Sequence, residues 1–207
     1  MKIALVGGTG FVGSRLLAEA ISRGHQVTVL VRDPLKIALD RQVIPLAVEV
    51  HDTAALAAAF AGHAAVISAY NPALPRGLEG AGSIIAAVKL ANVPRLLVVG
   101  GAGSLLRPDG ARVVDSPSFP TQWKQGALDT AELLNLLREE PTLDWTMLSP
   151  AEILSPGTRT GHFRLGGDHA LTDPNGPSRI SVEDYAVALL DELDAPRHSR
   201  ARFSVAY

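Results

Sequence analysis

The chain has 207 residues, 47% of them hydrophobic, with a net charge of −2 and no cysteine. That length supports one domain with a substantial core, and the composition is neither that of a disordered chain nor that of a membrane-embedded one. The near-neutral charge gives no reason to expect a nucleic-acid or anionic-lipid partner, and the missing cysteines exclude disulfides, thiolate metal sites and a cysteine nucleophile.

Ile3 to Val6 reads as a short, wholly apolar strand. Two overlapping glycine patterns follow, Gly8-x-Gly10-x-x-Gly13 and Gly7-x-x-Gly10-x-x-Gly13. Phe11, Val12, Leu16, Leu17, Ala20 and Ile21 then recur at helical spacing, which predicts a helix from about Phe11 to Arg23, ended by Gly24. In such a strand–turn–helix unit one glycine takes φ > 0, another lets the backbone approach a pyrophosphate, and a third lets helix meet strand. The phosphates sit on the free N–H groups and positive dipole of the helix N-terminus. Gly7, Gly8, Thr9, Gly10, Phe11, Val12 and Gly13 are therefore read as a dinucleotide cradle. A tight turn without ligand is the plainer alternative.

Gln26–Val31 is a second strand, Val43–Val48 a weaker third, Ala54–Ala61 an alanine-rich helix and Ala65–Ser68 a fourth strand. Leu78–Leu90 is helical and stops before Pro94; Arg95–Val99 is a fifth strand. Gly62-His63 interrupts the most apolar region, so no membrane span is expected. The alternation predicts right-handed βαβ units in an α/β, three-layer Rossmann fold with a doubly wound parallel sheet, a single NAD(P)-binding domain over residues 1–207. Ligands of such sheets bind beyond the carboxyl ends of the strands.

Past residue 100, glycines and prolines in 100–104 and in Arg107–Pro120 predict a long mobile loop. A helix over Trp123–Glu139 and a sixth strand over Leu143–Leu148 follow. Phe163–Leu171 is expected to form a hairpin around Gly166-Gly167. Ser181–Asp184 should cap a last helix running to about Leu193, and Phe203–Val205 should be a final edge strand. The C-terminal third is thus expected as a small cap over the cofactor edge. With a strand beginning at residue 2 or 3, no signal peptide is expected and the protein is placed in the cytoplasm, as a monomer or homodimer.

An acidic residue at the tip of the second strand would hold the ribose 2′-OH of NAD. Here Arg32 stands first, then Asp33. Arg32 can pair bidentately with a 2′-phosphate, which favours NADP(H); Asp33 keeps NAD(H) open, unless it merely caps the turn after Pro34. Asp52, after the third strand, can accept from an adenine amino group or serve as a helix N-cap.

Several stretches now resemble one family. They are Gly7–Gly13, Arg32, Val98-Val99-Gly100-Gly101-Ala102-Gly103-Ser104-Leu105, Trp145–Ala151, Pro156-Gly157-Thr158-Arg159-Thr160-Gly161 and Gly176-Pro177-Ser178-Arg179-Ile180-Ser181 with its continuation to Ala186. The chain resembles the bacterial NADH–flavin reductases, atypical short-chain dehydrogenase/reductase proteins similar to biliverdin reductase B (flavin reductase) and, more distantly, to NmrA-like proteins. The resemblance spans essentially the whole chain. It implies NAD(P)H bound along a Rossmann fold and reduction of free flavins, FMN or FAD, or other planar acceptors. It also implies that Ser68, Ala69 and Tyr70, and Gly100, Gly101 and Ala102, line the cofactor. Two departures matter: Ala102 stands where the biliverdin reductase B relatives carry a serine, with Ser104 two residues on, and Ala151-Glu152-Ile153 replaces their Pro-Pro-His-Ile run. A linear-tetrapyrrole substrate is therefore not carried over.

The usual short-chain dehydrogenase engine is a Tyr-x-x-x-Lys pair, but Pro120 stands four residues before Lys124. Alcohol or ketone chemistry by that engine is not expected, whereas hydride acceptance by a flavin depends mainly on positioning. Candidate catalytic residues are Ser104, Lys124 and Glu152, the last as a proton donor unless it pairs with Arg159 or Arg179. Tyr70 and Trp123 are candidates for stacking on a planar small-molecule acceptor, with Arg159 and His162 beside them; core packing and solvation are the plainer alternatives. His51, His63, His169 and His198 lack ligand spacing, so no metal is expected. Two readings compete: an NAD(P)H-dependent reductase, and a non-catalytic NmrA-like dinucleotide sensor with a protein partner. An NAD-using epimerase ranks third because it would need the Tyr/Lys pair.

Overall fold

Strand side chains alternate between faces, and in this chain both faces are apolar, so each strand reads as a continuous hydrophobic run. In the computed structural model, which describes residues 1–38, 40–173 and 177–207, β1 (Lys2–Val6) lies between β2 (Gln26–Val31) and β4 (Ala65–Ser68), parallel to both. β3 (Val43–Ala47) flanks β2; β5 (Arg95–Val99) and β6 (Asp144–Ser149) continue from β4. β10 (Ala201–Ala206) then pairs parallel with β6, and β8 (Arg164–Gly166) closes the sheet antiparallel to β10. The order is β3-β2-β1-β4-β5-β6-β10-β8, the doubly wound Rossmann arrangement whose strand order reverses between β1 and β4.

Ile3 and Leu5 face one layer, with Leu16 and Ala20 of α1 (Phe11–Ser22) and Tyr185, Leu189 and Leu190 of α5 (Val182–Asp194). Ala4 and Val6 face the other, with α2 (Thr53–Phe60), α3 (Gly77–Leu90) and α4 (Thr121–Arg138) contributing Phe60, Ile84, Val88 and Leu137. Among the described residues no helix is long and apolar enough to cross a membrane. Gly176, the first residue of the Gly-Pro-Ser-Arg-Ile-Ser stretch, lies outside them.

Three expectations about the C-terminal third are corrected. Phe163–Leu171 is not a hairpin: Leu165 pairs with Val205, while the segment beyond Gly167 meets Leu106, whose N–H donates to the Asp168 carbonyl (2.9 Å) and whose carbonyl accepts from Ala170 N (2.8 Å). Two remote backbone partners satisfy the groups that a local turn would have joined. Phe203–Val205 is not at an edge, since β10 has neighbours on both sides. Because α5 completes one helical layer and β10 the sheet, the only separate piece of cap seen among the described residues is β7 (Ile153–Ser155) paired parallel with β9 (Arg179–Ser181). Arg107–Pro120 is also anchored, not free: Val113 and Val114 are buried and Val113 N donates to Leu105 O at 2.9 Å.

Candidate functional site

Gly7 has φ +82°, and a Cβ there would stand 2.7 Å from the Ala69 carbonyl oxygen. Gly10 N donates to Gly7 O (3.0 Å), and a Cβ on Gly13 would lie 2.1 Å from that same oxygen. Gly8 instead abuts the Val29 side chain in the core. Gly7, Gly10 and Gly13 therefore set the turn and bring α1 against it, while Gly8 is there for packing. No side chain caps α1 and its first turn holds no acid. The N–H groups of Phe11, Val12 and Gly13 consequently have no helical acceptor. This helix end is disposed to take an anion. Thr9 and Gly10 are exposed beside it.

Arg32 is exposed at the tip of β2 with no hydrogen-bond or ion-pair partner among the described residues. Asp33 turns its carboxylate to Leu35 N (3.1 Å) and caps the turn Pro34–Lys36. Asp52 caps α2 through Ala55 N (2.9 Å). Ser68 is buried in β4, and Ala69 N donates to Val6 O at 3.0 Å, so the segment leaving β4 lies against the glycine turn. Tyr70 packs on α3 at Gly80; burial pushes its hydroxyl pKa up, and the nearby Arg32 charge opposes that shift.

Beyond the ends of β5 and β6 is an open cleft of about 750 Å³. Gly101 and Ala102 line it from β5, Trp123 and Thr130 from α4, Phe119 from the anchored loop and Glu152 from the turn before β7. Gly100 has no room for a Cβ beside Met147 and Leu148 O, and Gly103 lets α4 approach at Ala127. Trp123 is 63% exposed. Ser178, from the family-like stretch, sets the Glu152 backbone: its Oγ accepts from Glu152 N (3.2 Å) and its carbonyl from Ile153 N (3.0 Å).

The structure thus gathers Gly101, Ala102, Trp123 and Glu152 on one cleft, and Gly7–Gly13, Arg32 and Ala69–Tyr70 around the β1/β4 crevice. Other candidates are placed elsewhere. Ser104 accepts from Arg202 (3.3 Å) in a second cavity. Arg159 forks onto Glu19 of α1 with two bonds of 2.8 Å and holds that carboxyl below its usual range, so it is not the partner of Glu152. His162 is exposed on a loop whose Thr160 and Gly161 are bound by Asp184. Lys124 is exposed on the first turn of α4, outside the cleft lining.

The chain has three tyrosines, and none lines the cleft. Tyr185 is buried and donates to Leu148 O (2.7 Å); Tyr207 bonds Ser181 and Asp184; Tyr70 faces α3. Sequence reading missed Gln122, Gln125, Asp129 and Thr130, which line the cleft from α4. The available signal was Gly126-Ala127, small residues where a core-facing helix would carry leucines. Among the described residues no cluster has the makings of a metal site.

Residues 7–193 match the model of a family described as NAD(P)H-binding. The chain is 37% identical over 211 residues to YwnB, an uncharacterised protein of Bacillus subtilis (strain 168), covering 99% of this chain and 98% of that one. Among solved structures, a Bacteroides thetaiotaomicron protein provisionally named an epimerase is 43% identical, with a TM-score of 0.95 over 100% of this chain and 96% of its own. A Streptococcus pneumoniae protein provisionally named an NADH-flavin reductase is 34% identical, with a TM-score of 0.83 over 100% and 99%.

Proposed function

The chain belongs to the NAD(P)H-binding family, and from that premise we propose that it is a reductase of planar acceptors, free flavins such as FMN and FAD or quinones, that prefers NADPH. The glycine turn fits a dinucleotide: Cβ atoms at Gly7 and Gly13 would collide with the backbone of Ala69 and Gly7, so only glycines let α1 and its free N–H groups stand this close to the turn. In this reading the N–H groups of Phe11, Val12 and Gly13 hold the pyrophosphate, and the unpaired Arg32 guanidinium takes the 2′-phosphate. When bound, the reduced dinucleotide supplies two electrons as a hydride; the accompanying proton comes from solvent.

The observation that carries the choice of acceptor is a wide cleft with an exposed Trp123 on it and no tyrosine hydroxyl in it. Trp123 offers a face on which a planar ring stacks. Glu152 at the same cleft is the candidate for relaying the proton, since Asp129 already holds Gln125 Nε2 at 2.9 Å. The absent tyrosine also supports setting aside carbonyl chemistry, including an epimerisation that passes through a ketone.

The test is to mix purified protein with NADPH or NADH and FMN, FAD, riboflavin or a quinone, following absorbance of the reduced nicotinamide. Turnover well above the enzyme-free rate is expected. Tight dinucleotide binding with no oxidation by any acceptor would refute the reductase and leave a non-catalytic sensor.

A further inference from the structure

A second, smaller cavity of about 160 Å³ is lined by Ser104, Arg112, Asn135, Arg138, Asp168 and Arg202, among others. Three arginines thus share the wall with one acidic residue. Arg202 is buried and fully committed: Nε and Nη2 contact Asp168 Oδ1 (2.6 and 2.5 Å), Nη2 also donates to the Asp168 carbonyl (3.1 Å), and Nη1 donates to Ser104 Oγ (3.3 Å) and Ser149 Oγ (3.5 Å). Arg138 reaches the same Asp168 oxygen only at 3.5 Å. Arg112 spends Nε and Nη2 on Asp115, which is not in the wall. The other N–H groups of Arg112 and Arg138 have no protein acceptor among the described residues. Asn135 turns its amide to Glu132 and does not offset the charge.

We infer that this cavity binds a small tetrahedral oxyanion, of phosphate or sulfate type, on the free N–H groups of Arg112 and Arg138, with the buried Arg202 charge behind them. A guanidinium donates to such an oxyanion through geometrically matched N–H pairs, and the bonds are charge-assisted. The space suffices: one water takes roughly 30 Å³ of liquid, so a five-atom ion enters with waters to spare. Burial lowers the Arg202 pKa, and repulsion from Arg138 lowers it further; Asp168 offsets this only in part. An anion relieves that like-charge contact. Ser104 joins the cavity to Ala102 and Gly103 of the cleft, so an ion here braces the β5 exit without occupying the dinucleotide crevice.

The experiment is a thermal-unfolding titration of the full chain with inorganic phosphate, against chloride at matched ionic strength. It is run on wild type, Arg138→Gln, Arg112→Gln and Arg32→Ala. The first two replace half-exposed side chains and spare the buried Arg202, so folding is retained. A saturable rise in Tm for wild type and Arg32→Ala, weakened at least about 10-fold in apparent affinity by Arg138→Gln or Arg112→Gln, is expected from the loss of one charge-assisted partner. No rise beyond chloride would overturn the assignment. A rise lost in Arg32→Ala but kept in Arg138→Gln would also overturn it, by locating the phosphate in the dinucleotide crevice.

Discussion

Gly13→Ala sets two known effects against each other at the glycine turn. Alanine is favoured over glycine inside a helix by about 0.5–1 kcal/mol, so propensity alone predicts a more stable protein. The new Cβ, however, would lie 2.1 Å from Gly7 O, 2.8 Å from Gly7 C and 3.1 Å from Gly8 Cα. These are backbone atoms of a turn already in contact with Ala69, so no flexible side chain can yield. Overpacking costs about 1–3 kcal/mol, and a 2.1 Å approach to backbone places this site in the upper part of that range, about 2–3 kcal/mol, so the net expectation is a loss of about 1–2.5 kcal/mol. For a chain of this size that lowers Tm by about 2–10 °C. Gly82→Ala in α3 is the control, because nothing lies within 4 Å of its Cβ; there the propensity gain of about 0.5–1 kcal/mol stands alone. Urea unfolding followed by Trp123 and Trp145 fluorescence should move in opposite directions for the two variants. NADPH titration should show Gly13→Ala weakened at least about 10-fold and Gly82→Ala unchanged. If Gly13→Ala gains stability like Gly82→Ala and binds NADPH as well as wild type, the close approach of α1 to the turn is not what the site depends on.

Arg32→Ala should weaken NADPH by about 10–100-fold, the worth of a charge-assisted contact, and leave NADH nearly unchanged; equal losses in calorimetric titrations would remove the 2′-phosphate assignment. Glu192→Ala strips the buried Arg95 of a 2.8 Å partner and His198 of another. Leaving a buried charge wholly unpaired costs about 3–5 kcal/mol; Arg95 keeps Asp144 at 2.6 Å, so a smaller loss is expected, measurable as a lower denaturant midpoint, with dinucleotide affinity per folded molecule unchanged. Burial by itself would raise the Asp184 pKa, but hydrogen bonds from Thr160, Gly161 and Tyr207 outweigh it and hold the carboxyl below 3.8. A group depressed in this way contributes stability above its unfolded pKa and loses it as pH falls through the folded one. Wild-type stability should therefore drop below pH 3.8, and Asp184→Asn should be weaker at neutral pH and flatter in acid. An unaltered acid slope in the variant would contradict that role.

Local pattern was enough to read the sheet's first six strands and the glycine turn between the first of them and α1. A buried parallel strand announces itself over a few apolar residues, and a turn that needs φ > 0 or leaves no space for a Cβ needs glycine at that position. The hairpin around Gly166-Gly167 was misread because a Gly-Gly pair permits a bend without saying what pairs with what. Leu165 found Val205, and Leu106 found the segment after the bend.

The site divides along the same line. From sequence, a glycine turn at Gly7–Gly13 opening a helix and a cationic residue at the Arg32 strand tip follow, because each depends on neighbours a few residues away. Only the tertiary structure decided which polar side chains share a cleft. It drew Arg159 across 140 residues to Glu19 and Ser104 across 98 residues to Arg202, and it left Trp123 and Glu152 facing open space. Those outcomes depend on which charged group is left without a nearer partner once the layers pack, and no stretch of sequence carries that information by itself.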